Sequence, residues 1–152
     1  MQRLLDLLTE LQARIPAHEK LVATVSAANV GWHIQHTSLV MVRIIDAVKQ
    51  SDPATYKWKF NWKRSYVYLT NKIPRGKIKA PKAVQPQVEN DVQAMQSGID
   101  KAKARVNELS LLQSHHYFTH PFLGSMNLKR TIKFLELHTQ HHLKIINEIL
   151  AA

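Results

Sequence analysis

Along the first fifteen residues the apolar positions Leu4, Leu5, Leu7, Leu8, Leu11 and Ile15 recur three and four apart, with polar residues between them. That period places them on one face of an α-helix, and Pro16 closes the segment. A second helix is expected from Ser26, whose hydroxyl can accept an early backbone N–H while Asn29 takes the third helical position. Its interior stripe runs His33, Thr37, Val40, Ile44 and Val48, and "QSDP" stops it near residue 50 because Pro53 disfavours helical geometry at Asp52. A shorter helix is expected over 59–72, although its Tyr, Trp, Phe and Val content would also suit a strand. The three prolines of "KIPRGKIKAPKAVQP" forbid a continuous helix and leave a connector.

From residue 87 to about 113, Val88, Val92, Met95, Ile99, Ala102, Val106 and Leu109 form the stripe of a third long helix, weakened at Gly98. "SHHYFTHPFLGSMN" reads as a loop ending at Asn127, a side chain able to cap a last helix running to about Leu150. Four long helices with little strand alternation predict an all-α fold, an irregular antiparallel four-helix bundle. It would carry an extra short helix and a basic, proline-containing loop between helices two and three, in one domain over 1–152.

The formal charge of +10 becomes informative through its distribution. Nine Lys or Arg and no acid lie between residues 53 and 88, while the remainder holds twelve bases against eleven acids. In "YKWKFNWKRSYVYL" aromatics alternate with these bases, a mixture that can stack on nucleobases and neutralise phosphates. The simpler expectation is a solvated cationic face whose rings point inward. The absence of cysteine removes disulfides, thiolate metal sites and cysteine nucleophiles together and fits a reducing compartment. The first residues lack the order of a secretory signal, and no stretch has the uncharged apolar length of a membrane span, so a cytoplasmic protein is expected.

Three histidines crowd into "ELHTQHHLKII". His138 and His142 are four apart, one above the other on a helix, on a face shared with Thr131, Phe134, Leu135, Ile145 and Ile149. His141 falls at the boundary between core and solvent. A further donor must come from another helix, and "GWHIQH" offers His33 on the interior stripe and His36 at its edge as substitute or outer-shell ligand. Two readings stand: a metal site, or core histidines satisfied by hydrogen bonds to other side chains or water. His18, His115, His116 and His120 fall in loops.

These residues resemble the DinB/YfiT-like superfamily of metal-binding four-helix bundles. The resemblance rests on a capped helix start followed seven residues later by histidine, Ser26 to His33 in "SAANVGWH", and on the paired histidines of "HTQHH". "SDPATYKWKFNW", "KIPRGKIKAPK", "YFTHPFLGSMN" and "FLELHTQHHLKII" resemble a bacterial branch of that family. The resemblance implies His33, His138 and His142 as ligands. It departs from the family pattern after the second ligand, where Leu143, Lys144 and Ile145 stand in place of Arg-Gly-Gln.

Three imidazoles would leave a coordination position open, which suits catalysis, and nitrogen donors suit zinc or nickel, with iron also compatible. The implied activity is that of a thiol-dependent transferase or a hydrolase acting on a small molecule, with a low-molecular-weight thiol as co-substrate. Lys72, Arg75, Lys77 and Lys79 are candidate contacts for the thiol's carboxylates, and a solvated connector is the simpler expectation for them. Asn29, Gln35, Thr37 and Thr139 could hold the outer ring nitrogens, and no general base stands out. The alternatives are a basic nucleic-acid-binding module and a structural metal-binding protein that dimerises through an exposed helix face.

Overall fold

The computed structural model describes residues 1–75, 81, 84–86 and 91–152. Lys77, Lys79 and Lys82, most of the proline-containing connector, and the expected start of the third long helix at residues 87–90 lie outside the described residues. The described chain is mostly helical, in the order α1 (Gln2–Gln12), α2 (Val30–Gln50), α3 (Trp62–Thr70), α4 (Val92–Glu108), β1 (Tyr117–His120), β2 (Gly124–Asn127) and α5 (Leu128–Ala151).

Four of the five helices form where periodicity and a side-chain cap agree, and α1, without such a cap, rests on its periodicity. α1 buries Leu4, Leu7, Leu8 and Leu11, and ends before a short 3-10 turn over Ile15–Ala17 that accommodates Pro16 at its start. α2 begins three residues later than expected. Its cap is Asn29, whose side chain accepts from the Trp32 N–H at 2.8 Å, whereas Ser26 sits in the preceding loop. Asn61, Asp91 and Asn127 cap α3, α4 and α5 in the same way, each satisfying an N–H that the first helical turn leaves without a backbone acceptor.

α4 and α5 each pack against both α1 and α2. Met95, Ile99, Ala102 and Val106 of α4 meet a core that includes Ile34, Met41, Ile45 and Val48 of α2, and Leu135, Ile146 and Ile149 of α5 close it. Full burial of such side chains contributes about 1.5–3 kcal/mol each. Gly98 of α4 lies against Ser38 of α2, where a Cβ would stand 3.0 Å from the serine Oγ. The residue that weakens the isolated helix therefore permits close approach of two helices.

The loop expected after α4 contains instead an antiparallel hairpin, β1 paired with β2 from Tyr117↔Asn127 to His120↔Gly124. Gly124 adopts φ +69, a conformation other residues reach at a cost. The hairpin is fastened to α3 by Arg64. This buried guanidinium donates to the carbonyls of Leu123 and Ser125 at 3.1 and 2.8 Å, and to that of Lys59. Tyr68 completes the attachment, its hydroxyl donating to the Arg130 carbonyl of α5 at 2.6 Å. No helix among the described residues is long and apolar enough to cross a membrane.

The expectation that the aromatics of "YKWKFNWKRSYVYL" turn inward does not hold. Trp58, Phe60, Trp62 and Tyr66 are exposed, and Val67 and the half-buried Tyr68 are what α3 turns toward the core. α3 is too short to bury two faces, and Arg64 and Val67 already occupy the inner one.

Candidate metal centre

The N-terminal part of α2 and the middle of α5 bring four imidazoles together. His33, His36 and His142 are 3%, 5% and 7% exposed, and His138 keeps part of its surface open. Ring centroids are 4.6 Å apart for His138 and His142, 4.9 Å for His36 and His142, 5.3 Å for His36 and His138, and 5.2 Å for His33 and His142. His36, His138 and His142 each offer one nitrogen, and these three atoms lie within 4.8 Å of one another. The cluster is compatible with one bound metal ion.

Hydrogen bonds decide which nitrogens carry lone pairs. His36 Nδ1 lies 2.7 Å from the Val84 carbonyl oxygen. A carbonyl only accepts, so Nδ1 donates its N–H and the neutral ring presents its lone pair at Nε2. His33 Nδ1 and His142 Nδ1 are 2.9 Å apart and share one proton, while His33 Nε2 lies 3.0 Å from Ser26 Oγ. When His142 donates, its Nε2 keeps a lone pair and His33 passes its own Nε2–H to Ser26. When His33 donates, His142 Nε2 carries a proton and cannot ligate. Ser26 Oγ also accepts from the Ala28 N–H at 3.1 Å, which holds the hydroxyl in place.

Burial sets the charge state. The His33 pKa is pushed down to about 4, first by loss of solvent and then by positive charge on His36, His141 and Arg75. His138 and His142 are held well below the usual imidazole range, again by burial first and then by neighbouring imidazoles. For His36 burial also lowers the value, opposed by its bond to the Val84 carbonyl. All four are therefore neutral near pH 7, the state in which imidazole can ligate.

Rings frame the cluster. Trp32 stacks on His36 at 4.7 Å with 12° between planes and meets His33 edge-on at 5.2 Å. Phe134 covers His138 at 5.8 Å and His120 at 5.1 Å. His141, half-buried, stands edge-on to His142 at 5.3 Å.

The expected ligands distribute as follows. His138 and His142 lie side by side, as their four-residue spacing implies. From the second helix the structure brings both histidines in, His36 to both members of the α5 pair and His33 to His142 alone. The sevenfold step from a helix cap to a histidine ends at His36 when counted from Asn29, the cap that α2 uses. Among the anion candidates, Arg75 holds Glu148 with both arms of its guanidinium, at 2.5 and 3.0 Å, and is near enough to depress His33 and His141. Lys72 is exposed. Among the expected outer partners, Thr37 and Thr139 donate instead to the carbonyls of His33 and Leu135 in their own helices.

Sequence reasoning missed Trp32 and Val84. Trp32 was legible through its four-residue spacing from His36. Val84 acts through its backbone, which carries no residue-specific signal.

Neither the curated proteins nor the solved structures gave a match to the chain. A family model described as the DinB superfamily matches residues 1–146. With nearly the whole length matched and the histidines gathered between α2 and α5, the chain belongs to the DinB superfamily.

Proposed function

We propose that this protein is a metal-dependent enzyme of the thiol transferase or hydrolase class, acting on a small molecule from a three-histidine site. The observation that carries the reading is the convergence of His36, His138 and His142, from helices about a hundred residues apart in sequence, with their donor atoms within 4.8 Å. The frame it assumes is an antiparallel four-helix bundle in which α2 and α5 face each other. His36 Nε2 would ligate, held by the bond from Nδ1 to Val84, and His138 and His142 would supply the α5 pair. His33 supports His142 through Nδ1 and is the alternative third ligand. Zinc or nickel fits a set of neutral nitrogens without sulfur or carboxylate, and iron is compatible. Such an ion with an open position would lower the pKa of a bound water or thiol. Arg75, bonded to Glu148, would exchange that carboxylate for one of the substrate, and Lys72, Lys77 and Lys79 would be further contacts for a small anionic thiol.

Elemental analysis of protein purified without a histidine tag tests the site. We expect about one transition-metal ion per chain. His138→Ala and His142→Ala should each abolish binding. His36→Ala should do the same, while His33→Ala should weaken affinity by roughly 10- to 100-fold, as loss of an outer-shell partner does. Loss with His33→Ala and retention with His36→Ala would exchange their roles. Metal-free protein under metal-replete conditions would end the reading.

A further inference from the structure

The chain entering α3, and the outer face of α3 itself, carry apolar surface left open among the described residues. Phe60 is 70% exposed, Trp62 66% and Leu69 85%, and Trp58, Tyr66 and Phe122 are also open. Trp62, Tyr66 and Leu69 follow the spacing of one helical stripe, opposite the buried Arg64 and Val67. Phe122 joins them from the turn of the hairpin, where Asn61 Nδ2 donates to its carbonyl at 3.2 Å.

Cations lie among the rings. Lys57 and Lys59 alternate with Trp58 and Phe60. Lys63 Nζ stands 5.8 Å from the Trp62 ring centre and 5.9 Å from that of Phe122, and the Arg130 guanidinium lies 5.8 Å from Trp58. No acid occurs from residue 53 to 88 to neutralise them. Arg64 and Arg75 of this segment are engaged elsewhere, on backbone carbonyls and on Glu148. Lys57, Lys59 and Lys63 remain at the surface beside the rings.

The combination discriminates between partners. A merely solvated cationic face gains nothing from open tryptophans, and exposed apolar patches of this kind mark interaction sites. A second copy docking on the same face would bring like charges together. A lipid-inserting face gains as much from aliphatic side chains as from rings, yet here five aromatics accompany a single leucine. Flat rings interleaved with ammonium groups suit an anionic chain of stacking bases.

We propose that this face binds single-stranded nucleic acid, with bases stacked on Phe60, Trp62 and Trp58 and phosphates neutralised by Lys57, Lys59 and Lys63. Among the described residues the face offers rings and ammonium groups, which do not read base edges, so binding is sequence-tolerant. Its residues are distinct from the histidines gathered between α2 and α5.

Fluorescence anisotropy with a labelled oligothymidylate, titrated with the full-length protein over a range of salt, tests this. Affinity should fall with salt at a log–log slope of roughly −0.7 for each phosphate contacted, about −2 for three lysines. The double variant Phe60→Ala/Trp62→Ala should weaken binding by at least roughly 30-fold. These side chains are exposed, so the circular dichroism spectrum should be unchanged. Replacing Lys57, Lys59 and Lys63 by alanine should remove most of the salt slope. Absence of binding at low salt would overturn the proposal, as would ring variants that bind like the parent, since charge alone would then account for the affinity. Phosphatidylserine vesicles that capture the protein through the same rings while the oligonucleotide does not would assign the face to membranes and reject it equally.

Discussion

His33 shows how much of a residue's behaviour depends on company. In isolation its imidazole titrates near 6.5, but burial among His36, His141 and Arg75 brings it to about 4. His36, His138 and His142 are displaced in the same direction. Between these values the unfolded chain binds protons that the folded cluster refuses, so the metal-free fold loses stability as pH drops. Stability from these groups is complete above about pH 6.5 and declines toward pH 4. Urea unfolding of the metal-free protein should therefore show a lower midpoint at pH 5 than at pH 7.5, the reverse of what paired, charged histidines would give. An unchanged or higher midpoint at pH 5 would mean that the imidazoles are not buried together. The pairing of His138 with His142 was legible because four residues make one helical turn. The contacts of His33 and His36 were not, because they depend on how α2 is rotated and set against α5.

Among the elements, α3 and the hairpin depend on each other. Neither nine residues of helix nor two four-residue strands would be stable alone in water. Arg64 joins them by donating to carbonyls of Lys59, Leu123 and Ser125, an arrangement without a carboxylate among its hydrogen-bond partners. Arg64→Met keeps the apolar stem and removes the donors, and should cost roughly 2–3 kcal/mol in urea unfolding through the unsatisfied carbonyls. Arg64→Lys should recover only part of this, since one ammonium cannot reproduce the planar fork. A lysine variant as stable as the parent would show that charge, not geometry, holds the hairpin. From sequence, Arg64 was one base in a run of nine. Its burial follows from the position of the hairpin, whose strands, four residues each, are too short for alternation to reveal.

At the scale of the whole molecule, the approach of α2 to α4 is set by Gly98 and Ser38. An alanine at position 98 would raise helix propensity by about 1 kcal/mol. Its Cβ would also stand 3.0 Å from Ser38 Oγ, which is held by bonds to the carbonyls of Ile34 and Gln35. We expect Gly98→Ala to lower the melting temperature in the native background and to raise it when Ser38→Ala has removed the obstructing oxygen. Additive effects of the two substitutions would show that the helices do not meet there. The consequence reaches the metal centre, because α2 carries His33 and His36 five and two residues before Ser38. Moving α2 away from α4 would shift both relative to His138 and His142.

The sequence by itself determined the helical composition, the apolar stripe of each long helix, the cap at Asn127, the shared face of His138 and His142, and the concentration of positive charge before residue 88. All of these are properties of neighbouring residues, written in the 3.6-residue period and in local backbone chemistry. Tertiary structure alone decided that His36 touches both members of the α5 pair, that a backbone carbonyl at Val84 fixes its tautomer, that Arg64 is buried and that Trp58 and Trp62 face outward. Each depends on how one element is rotated and set against another. That is fixed by packing the entire core at once, through contacts between residues far apart in the chain.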